Sequence, residues 1–269
     1  MYESYYGLRE CPFGESISTA EFVPLAGRSA AIRRLRYGLE HGRGPALLFG
    51  PPGVGKTTTA AALAREIGAP TVHLSFPSMP SDELLAFLAD EFSTTVDRPR
   101  DPRVVGSIRR LRTTLSAAAK RGVRPLLIVD EAHLIENPET FEIIRLLLNF
   151  ATLGPPDLSL LMVGCAEVLL KLPDGLADRL AARCPIGALS FEESNEYLLR
   201  RLKNAGATEP LFDVETLKAL YDASEGLPRR LNRLADLSLL IAYAEDAPRP
   251  TAATVAIAYE ESAFDYAPV

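Results

Sequence analysis

The segment 50–57 carries residue types and spacings that suit the binding of phosphate groups. It reads Gly-Pro-Pro-Gly-Val-Gly-Lys-Thr and matches the pattern G-x-x-x-x-G-K-[ST] at every specified position. Glycines are needed there because backbone N–H groups must approach the phosphates in conformations that a Cβ hinders. The ammonium group of Lys56 is expected to meet the β and γ phosphates, and the hydroxyl of Thr57 is expected to bind Mg²⁺.

The residues on either side of segment 50–57 support this interpretation. Residues 46–49 form a short apolar run typical of a buried strand, and residues 58–67 have the composition of a helix. The alternative is a turn rich in glycine and proline that merely contains a lysine. Because a phosphate-binding loop requires a strand before it and a helix after it, the flanking pattern favours the loop.

Two carboxylates follow a second apolar run and predict the other half of the site. Residues 126–129 are Leu-Leu-Ile-Val, and Asp130 and Glu131 come directly after them. A continuous apolar run indicates a strand covered on both faces, and ligands of such parallel sheets bind beyond the carboxyl ends of the strands. Asp130 is therefore expected to hold Mg²⁺, through the hydroxyl of Thr57 or a water, and Glu131 to orient or deprotonate an attacking water. The alternative is that one of them only caps a helix.

The elements that must position these residues form an alternating pattern. Strand-like segments separated by helices predict a doubly wound α/β fold with a five-stranded parallel sheet. The strands are expected near residues 46, 71, 126, 158 and 185. A helix capped by Ser29 is expected at 29–39. Short helices are expected over 174–183, ahead of a last strand at 185–189.

The pattern changes to helices alone after residue 189. Ser190 and Glu193 have the spacing of a capping box, and further helical segments follow. We therefore expect an α/β core at 23–189 and a small all-helical C-terminal domain at 190–269. Residues 1–22 carry an aromatic cluster interrupted by proline and glycine, and they are expected to pack against a domain as a strap.

The composition is that of an ordinary soluble globular protein. Of the 269 residues, 47% are hydrophobic and 24% are charged. No apolar run approaches the roughly 18 residues of a membrane span, and the start of the chain lacks the features of a signal peptide. We therefore expect no integral membrane segment and a cytoplasmic location. The three cysteines lie far apart and are expected to be free thiols.

The distribution of charge leaves DNA as a candidate partner. A net charge of −6 and a pI near 5.3 argue against a protein that coats nucleic acid by bulk electrostatics. The helix expected at 104–121 nevertheless carries Arg109, Arg110 and Arg112 on one side, and this side could face phosphates. The alternative is a solvated face of an ordinary surface helix.

These motifs together resemble those of the AAA+ ATPases. The resemblance is to the clade that contains the ATPase domain of general secretion pathway protein A, the target selectors of transposons and the origin-recognition-type initiators. It covers nearly the whole chain and implies a P-loop NTPase fold with a helical lid. Segment 22–28 is similar to the adenine-contacting segment of the family, 50–58 to Walker A and 126–134 to Walker B. Segment 178–183 resembles the region of the arginine finger, and 226–233 the sensor 2 helix of the lid.

The resemblance implies that Mg-ATP is bound and hydrolysed at a site between the subunits of an ATP-dependent homo-oligomer with an unidentified protein client. The implied catalytic residues are Lys56, Glu131 and Arg183. Arg183 would act as a finger on the nucleotide of a neighbouring subunit, and Arg179 is the alternative. Thr57 and Asp130 are the implied metal ligands. The remaining implied nucleotide contacts come from Val23, Pro24, Arg28, Pro52, Gly53, Val54, Gly55, Thr58 and Arg229, with Arg229 reaching its own subunit's site.

One position departs from the pattern of the family. The segment 162–172 is similar to the strand that ends in sensor 1, where relatives place a polar Gln or Asn. This chain has Cys165 there, and a thiol is a poor hydrogen-bonding group. The substitution leaves open an alternative function, an ATP-dependent DNA-binding scaffold or target selector that hydrolyses ATP weakly.

Overall fold

A computed structural model describes residues 1–14, 22–93 and 104–264 of the chain. These residues form two compact units. The α/β unit contains the described residues of Gly27–Pro51 and Lys56–Ile186, and the helical unit contains those of Met1–Ala26, Pro52–Gly55 and Gly187–Val269. The domain boundaries expected from the sequence, after residues 22 and 189, remain predictions.

The α/β unit is built on a five-stranded parallel sheet, as the sequence predicts. The strands are β1 (Ala46–Phe49), β2 (Thr71–Leu74), β3 (Leu126–Val129), β4 (Ser159–Gly164) and β5 (Ala182–Pro185). Their order across the sheet is β2-β3-β4-β1-β5, with every neighbouring pair parallel. Strand β3 is buried at every residue, whereas the edge strand β2 alternates between exposed and buried residues and the edge strand β5 buries only Cys184. The continuous apolar run of β3 thus reflects its position inside the sheet.

The helices follow the alternation expected from the sequence. In chain order they are α1 (Tyr2–Tyr5), α2 (Ala26–Glu40), α3 (Lys56–Ile67), α4 (Ser81–Glu91), α5 (Val104–Lys120), α6 (Pro138–Leu147), α7 (Val168–Lys171), α8 (Asp174–Ala177), α9 (Phe191–Asn204), α10 (Val214–Ser224), α11 (Pro228–Ala244) and α12 (Ala252–Phe264). A short 3-10 turn covers Ala132–Leu134. Among the described residues, none of the helices combines the length and the apolar character that a membrane crossing requires.

Two predicted boundaries near the sheet are wrong. Helix α2 begins at Ala26, so Ser29 lies inside the helix and does not cap it. The helices expected over 174–183 end at Ala177, and the last strand is Ala182–Pro185 instead of 185–189. Pairing with β1 explains the second difference, because Arg183 lies in register with Leu47 at the edge of the sheet. Only Cys184 of this edge strand is buried, so its sequence lacks the continuous apolar run that marks an inner strand.

The helical unit has its own apolar core, to which the N-terminal residues contribute. Tyr2, Leu8 and Phe13 are buried with side chains of α9, α10, α11 and α12. The predicted capping box at the start of α9 is confirmed. The hydroxyl of Ser190 accepts a hydrogen bond from the backbone N–H of Glu193 at 3.2 Å. In return, the carboxylate of Glu193 accepts from the backbone N–H of Ser190 at 3.3 Å.

Buried Arg201 of α9 ties the N-terminal segment to the helical unit. Its guanidinium donates from Nε to the carbonyl of Pro12 at 2.6 Å and from Nη2 to the carbonyl of Gly14 at 3.2 Å. The hydroxyl of Tyr2 donates to the carboxylate of Asp236 in α11. The aromatic strap predicted from the sequence therefore packs, over its described residues, with the all-helical part of the chain.

Candidate functional site

The phosphate-loop motif connects β1 to α3, as the sequence predicts. Gly50 follows β1, and a Cβ at this position would lie 2.0 Å from the carbonyl oxygen of Ile186. Gly53 has a φ of +78°, in the left-handed region that favours glycine. Gly50 is therefore required because the backbone of Ile186 lies too close for a side chain, and Gly53 is favoured because of its left-handed backbone conformation. Val54 is fully buried, Pro52 is exposed, and Gly55 and Thr58 are half-buried.

Lys56 is the first residue of α3, and its side chain is held by its own loop. The ammonium group donates to the carbonyl oxygens of Gly50 and Pro51, at 3.1 Å each, and lies 3.7 Å from Sγ of Cys165. The residue is only 6% exposed. A buried cation whose partners are neutral carbonyls and a thiol is electrostatically suited to an anionic ligand.

Thr57 and Asp130 bring the two sequence motifs into contact. The hydroxyl of Thr57 donates to Oδ2 of Asp130 at 2.8 Å. Asp130 follows β3 and extends its pairing with β2, because its backbone N–H donates to the carbonyl of Leu74 at 2.9 Å. The structure therefore places both predicted metal ligands side by side at the carboxyl ends of the strands.

The carboxylate of Asp130 is buried and accepts hydrogen bonds on both oxygens. Oδ2 accepts from Thr57 and from Nε2 of His73 at 3.2 Å, and Oδ1 accepts from the backbone N–H of Glu131 at 2.9 Å. Burial by itself raises the pKa of Asp130, but the hydrogen bonds from these donors outweigh it, and the pKa lies below that of an ordinary carboxyl group. Asp130 is therefore an anion at neutral pH.

The hydroxyl oxygen of Thr57 and the adjacent carboxylate of Asp130 suit Mg²⁺. The ion prefers oxygen ligands and is commonly held by one or two carboxylates together with phosphate oxygens and water. The hydroxyl of Thr57 and the carboxylate of Asp130 provide such oxygens. Among the described residues, no group of three or more His, Cys, Asp or Glu side chains forms a self-sufficient metal site. A metal held by Thr57 and Asp130 would complete its coordination with water and phosphate oxygens.

Glu131 adopts a strained backbone conformation beside this pair. Its φ of 49° and ψ of 36° lie in the left-handed region, which costs a non-glycine residue about 1–2 kcal/mol. The 3-10 turn Ala132–Leu134 follows directly. The carboxylate is 43% exposed and lies 3.4 Å from Nδ1 of His133. Strain of this kind concentrates at functional sites, where the surrounding structure imposes the geometry.

His73 is a site residue that the sequence interpretation missed. The alternating sequence of strand 71–74 is the signal that could have indicated it, because it places His73 on the more exposed face. Val72 and Leu74 are buried, whereas Thr71 and His73 are more exposed. Only the register of β2 against β3 shows that the imidazole reaches Asp130.

Cys165 lies directly after β4, and its thiol contacts the ammonium group of Lys56. Besides the contact of its Sγ with Lys56, its backbone N–H donates to Nδ1 of His133 at 3.3 Å. The position predicted for sensor 1 is thus adjacent to the phosphate loop in space. The departure from a polar amide therefore falls beside the cation that is expected to meet the phosphates.

The two candidate finger residues lie away from this cluster. Arg183 is exposed on β5, which is separated from β3 by two other strands, and its Nη2 donates to the carbonyl of Ala177 at 3.1 Å. Nη1 of Arg179 donates to Oδ1 of Asn149 at 3.0 Å. The structure does not bring either guanidinium to Asp130, and the finger role of both residues remains a prediction.

The other predicted nucleotide contacts lie in both units. Arg229, the second residue of α11, is exposed, and its backbone N–H donates to the carbonyl of Gly53 at 3.1 Å within the helical unit. Val23 is buried in the core of that unit and Pro24 is exposed. Arg28 lies in α2 and is 8% exposed. Their roles in nucleotide binding remain predictions.

A parallel sheet with a phosphate loop after one central strand and an acidic pair after another defines the class of P-loop NTPases. Residues 38–172, half of the chain, match the model of the AAA domain family AAA_22. The chain belongs to this family.

Relatives and solved structures agree with this assignment. General secretion pathway protein A of Aeromonas hydrophila is 32% identical over 270 residues, covering 97% of this chain and 49% of that protein. The chain therefore spans about half the length of this relative.

The structure of the Aeropyrum pernix ORC1 protein in complex with DNA matches 94% of this chain and 69% of its own chain, with a TM-score of 0.69 and 16% identity. The structure of the Thermotoga maritima RuvB Holliday junction branch migration motor matches 86% of this chain and 68% of its own chain, with a TM-score of 0.60 and 19% identity. At identities this low, the likeness to the two solved structures shows a shared fold and no more.

Proposed function

We propose that the chain binds Mg-ATP and hydrolyses it to ADP and phosphate. The observation that carries the proposal is the arrangement of Lys56, Thr57 and Asp130, in which a buried cation lies next to two oxygen groups suited to a divalent metal. When bound, Mg²⁺ neutralises charge on the β and γ phosphates. Membership of the AAA domain family supports ATP as the nucleotide.

Each of these residues has a separate task in the proposed reaction. Lys56 leaves its loop carbonyls for the phosphate oxygens, a stronger charge-assisted interaction. Thr57 and Asp130 hold the metal through oxygen atoms. Glu131, half-exposed after β3, orients the attacking water and accepts its proton, which is worth about 10²–10⁴-fold in rate for a positioned general base.

We further propose that turnover requires a neighbouring subunit and is coupled to the helical unit. Arg183 is exposed on an edge strand, so it is available to stabilise the charge that builds on the γ-phosphoryl group of a neighbour. Residues 52–55 of the phosphate loop group with the helical unit, where Gly53 accepts from the first turn of α11. A change in the loop on hydrolysis would therefore be transmitted to α11, which carries Arg229.

The Glu131→Gln variant tests this proposal, because it keeps the shape of the side chain and removes the base. We expect Mg²⁺-dependent ATP turnover to fall about 100-fold or more while binding of a fluorescent ATP analogue is retained. Glu136→Gln is the matched control, an exposed acid on the same segment. Equal turnover by wild type and Glu131→Gln would refute the assignment of the base, and a wild type that does not bind the analogue would refute the proposed function.

A DNA-binding scaffold is the second candidate, and it has one structural observation in its favour. Arg109 and Arg112 are exposed on α5, and the fold is shared with a DNA-bound ORC1 structure. Arg110 contributes less to this surface, because its Nη1 donates to the carboxylate of Asp90 at 2.6 Å. The basic face predicted from the sequence is therefore reduced to two exposed guanidinium groups.

Retention on duplex DNA with ATP, measured across salt concentrations, tests the second candidate. Reversing Arg109 and Arg112 to glutamate should weaken binding and reduce the slope of log K against log salt by about 2, since each phosphate contact contributes about 0.9. Reversing Arg200 and Lys218, two surface cations of the helical unit, changes the net charge equally and serves as the control. Binding that is absent or independent of salt would refute this function.

A further inference from the structure

His73 and Asp130 are in contact because of the register between two parallel strands. In that register His73 of β2 is level with Ile128 of β3. Side chains alternate along a strand, so Ile128 and Asp130 point to the same face of the sheet, which is also the face of His73. The ladder continues beyond Val129, because Asp130 donates its N–H to the carbonyl of Leu74. The imidazole therefore reaches the carboxylate diagonally across the two strands.

The direction of this hydrogen bond follows from the chemistry of its partners. Nε2 of His73 lies 3.2 Å from Oδ2 of Asp130. A carboxylate anion only accepts hydrogen bonds, so Nε2 carries the hydrogen and His73 is the donor. The side chain of His73 is 34% exposed and that of Asp130 is 5% exposed. The imidazole is thus the more exposed partner of a nearly buried carboxylate.

The three donors to this carboxylate differ in what else they are expected to do. The hydroxyl of Thr57 is a proposed metal ligand, and the backbone of Glu131 carries the proposed base. Both are expected to change their interactions when the nucleotide and metal bind. His73 lies on a different strand and has no other role in the proposed reaction.

We propose that His73 is a positioning residue that holds the carboxylate of Asp130 in the orientation required for Mg²⁺. The inference rests on the proposed function, since it assigns a purpose to a contact of the metal site. Groups that hydrogen-bond to a metal ligand fix its orientation, and their removal typically costs about 10–100-fold in metal affinity. The effect should therefore appear in the dependence of nucleotide binding on Mg²⁺ and not in the fold of the unit.

A purely structural contact would behave differently. If His73 only fastened the edge strand β2 to β3, its removal would lower the stability of the α/β unit. Nucleotide binding would then weaken to the same extent with and without metal. A positioning contact affects only the metal-dependent part, because Lys56 and the backbone of the phosphate loop bind phosphates without it.

The experiment titrates Mg²⁺ into the full chain with a fluorescent N-methylanthraniloyl-ATP, alongside the same nucleotide in EDTA. We expect His73→Ala to raise the half-saturating Mg²⁺ concentration about tenfold and to leave the affinity in EDTA unchanged. His73→Gln should restore most of the Mg²⁺ response, because its side-chain amide can donate from a similar position. His41→Ala is the matched control, since this exposed histidine contacts Tyr37 of α2 and is not one of the donors to Asp130.

The outcomes separate the inference from the proposed function. An unchanged Mg²⁺ midpoint in His73→Ala, with a wild type that responds to Mg²⁺, would overturn the positioning role alone. Equal weakening in Mg²⁺ and EDTA would also overturn it, in favour of a structural contact. A wild type whose nucleotide binding does not respond to Mg²⁺ would refute the proposed metal site, and the inference with it.

Discussion

The hydroxyl of Thr57 donates a hydrogen bond of 2.8 Å to the carboxylate of Asp130, although 73 positions separate the two residues in the chain. The contact joins the first turn of α3 to the end of β3. It is the point at which the phosphate loop and the acidic pair become one site. Its oxygen atoms are those expected to hold the metal.

Removal of the Thr57 hydroxyl should therefore abolish the effect of Mg²⁺ on nucleotide binding. Thr57→Val keeps the branched shape but loses the oxygen, and we expect affinity in Mg²⁺ to fall about tenfold or more, towards the value in EDTA. Thr57→Ser keeps the hydroxyl and should behave as wild type, since the loop pattern accepts either residue. The two variants are compared by fluorescence titration. A normal Mg²⁺ response of Thr57→Val would contradict the assignment of this ligand.

Cys165 provides a test of whether the chain is a weak hydrolase. Its thiol lies 3.7 Å from Nζ of Lys56, at the position that the sequence resemblance assigns to sensor 1. Cys165→Gln should raise the steady-state rate of phosphate release, by about tenfold if one additional good hydrogen bond forms in the transition state. Cys165→Ala removes the thiol without adding an amide and should show no gain. If the wild-type protein already hydrolyses ATP rapidly and Cys165→Gln is no faster, the alternative function as a weakly hydrolysing scaffold loses its support.

Arg183 should act on the site of another subunit. Arg183→Ala is expected to lower turnover about 10³-fold at concentrations where subunits associate, and wild-type turnover per subunit should fall on dilution. The same substitution at Arg179 tests the alternative finger.

A mixture of Arg183→Ala and Glu131→Gln chains gives the sharpest readout of this prediction. Each chain lacks one half of a composite site, so mixing should recover activity that neither variant has alone. No recovery on mixing, together with turnover that is independent of concentration, would show that Arg183 is not a finger acting between subunits.

The attachment of the N-terminal segment depends on Arg201. Arg201→Met should reduce the free energy of unfolding of the helical unit by about 2–3 kcal/mol, because two hydrogen bonds from a charged group to the carbonyls of Pro12 and Gly14 are lost. Urea unfolding measures this change. Arg200→Met is the matched control, since the side chain of Arg200 is exposed and pairs with Glu196 at the surface, and its loss should change stability by about 0.5 kcal/mol or less. Equal effects of the two substitutions would show that the contacts of Arg201 contribute no specific stability.

Much of the local structure was readable from the sequence because it depends on neighbouring residues. The phosphate loop lies between a strand and a helix, and the capping box of Ser190 and Glu193 forms as predicted. The buried strand ahead of Asp130 was equally clear, since a strand inside a parallel sheet must be apolar on both faces. Even the pairing of the two motifs could be anticipated, because ligands bind at the carboxyl ends of such strands.

The last strand shows where this reasoning fails. Arg183 was expected on a helix, yet it lies on β5 in register with Leu47. Only Cys184 of this strand is buried, so its sequence carries little apolar signal. The backbone hydrogen bonds of the neighbouring strand determine the structure at an edge, and those bonds cannot be seen in a short segment of sequence.

The sequence by itself therefore determined the class of fold, the phosphate loop and the acidic pair, since each is encoded within a few consecutive residues. The tertiary structure alone decided that His73 reaches Asp130, that Cys165 meets Lys56 and that the N-terminal strap packs with the helical unit. These contacts depend on strand register and helix packing between distant parts of the chain. Such long-range geometry is set by the burial of the whole core and not by the residues that it brings together.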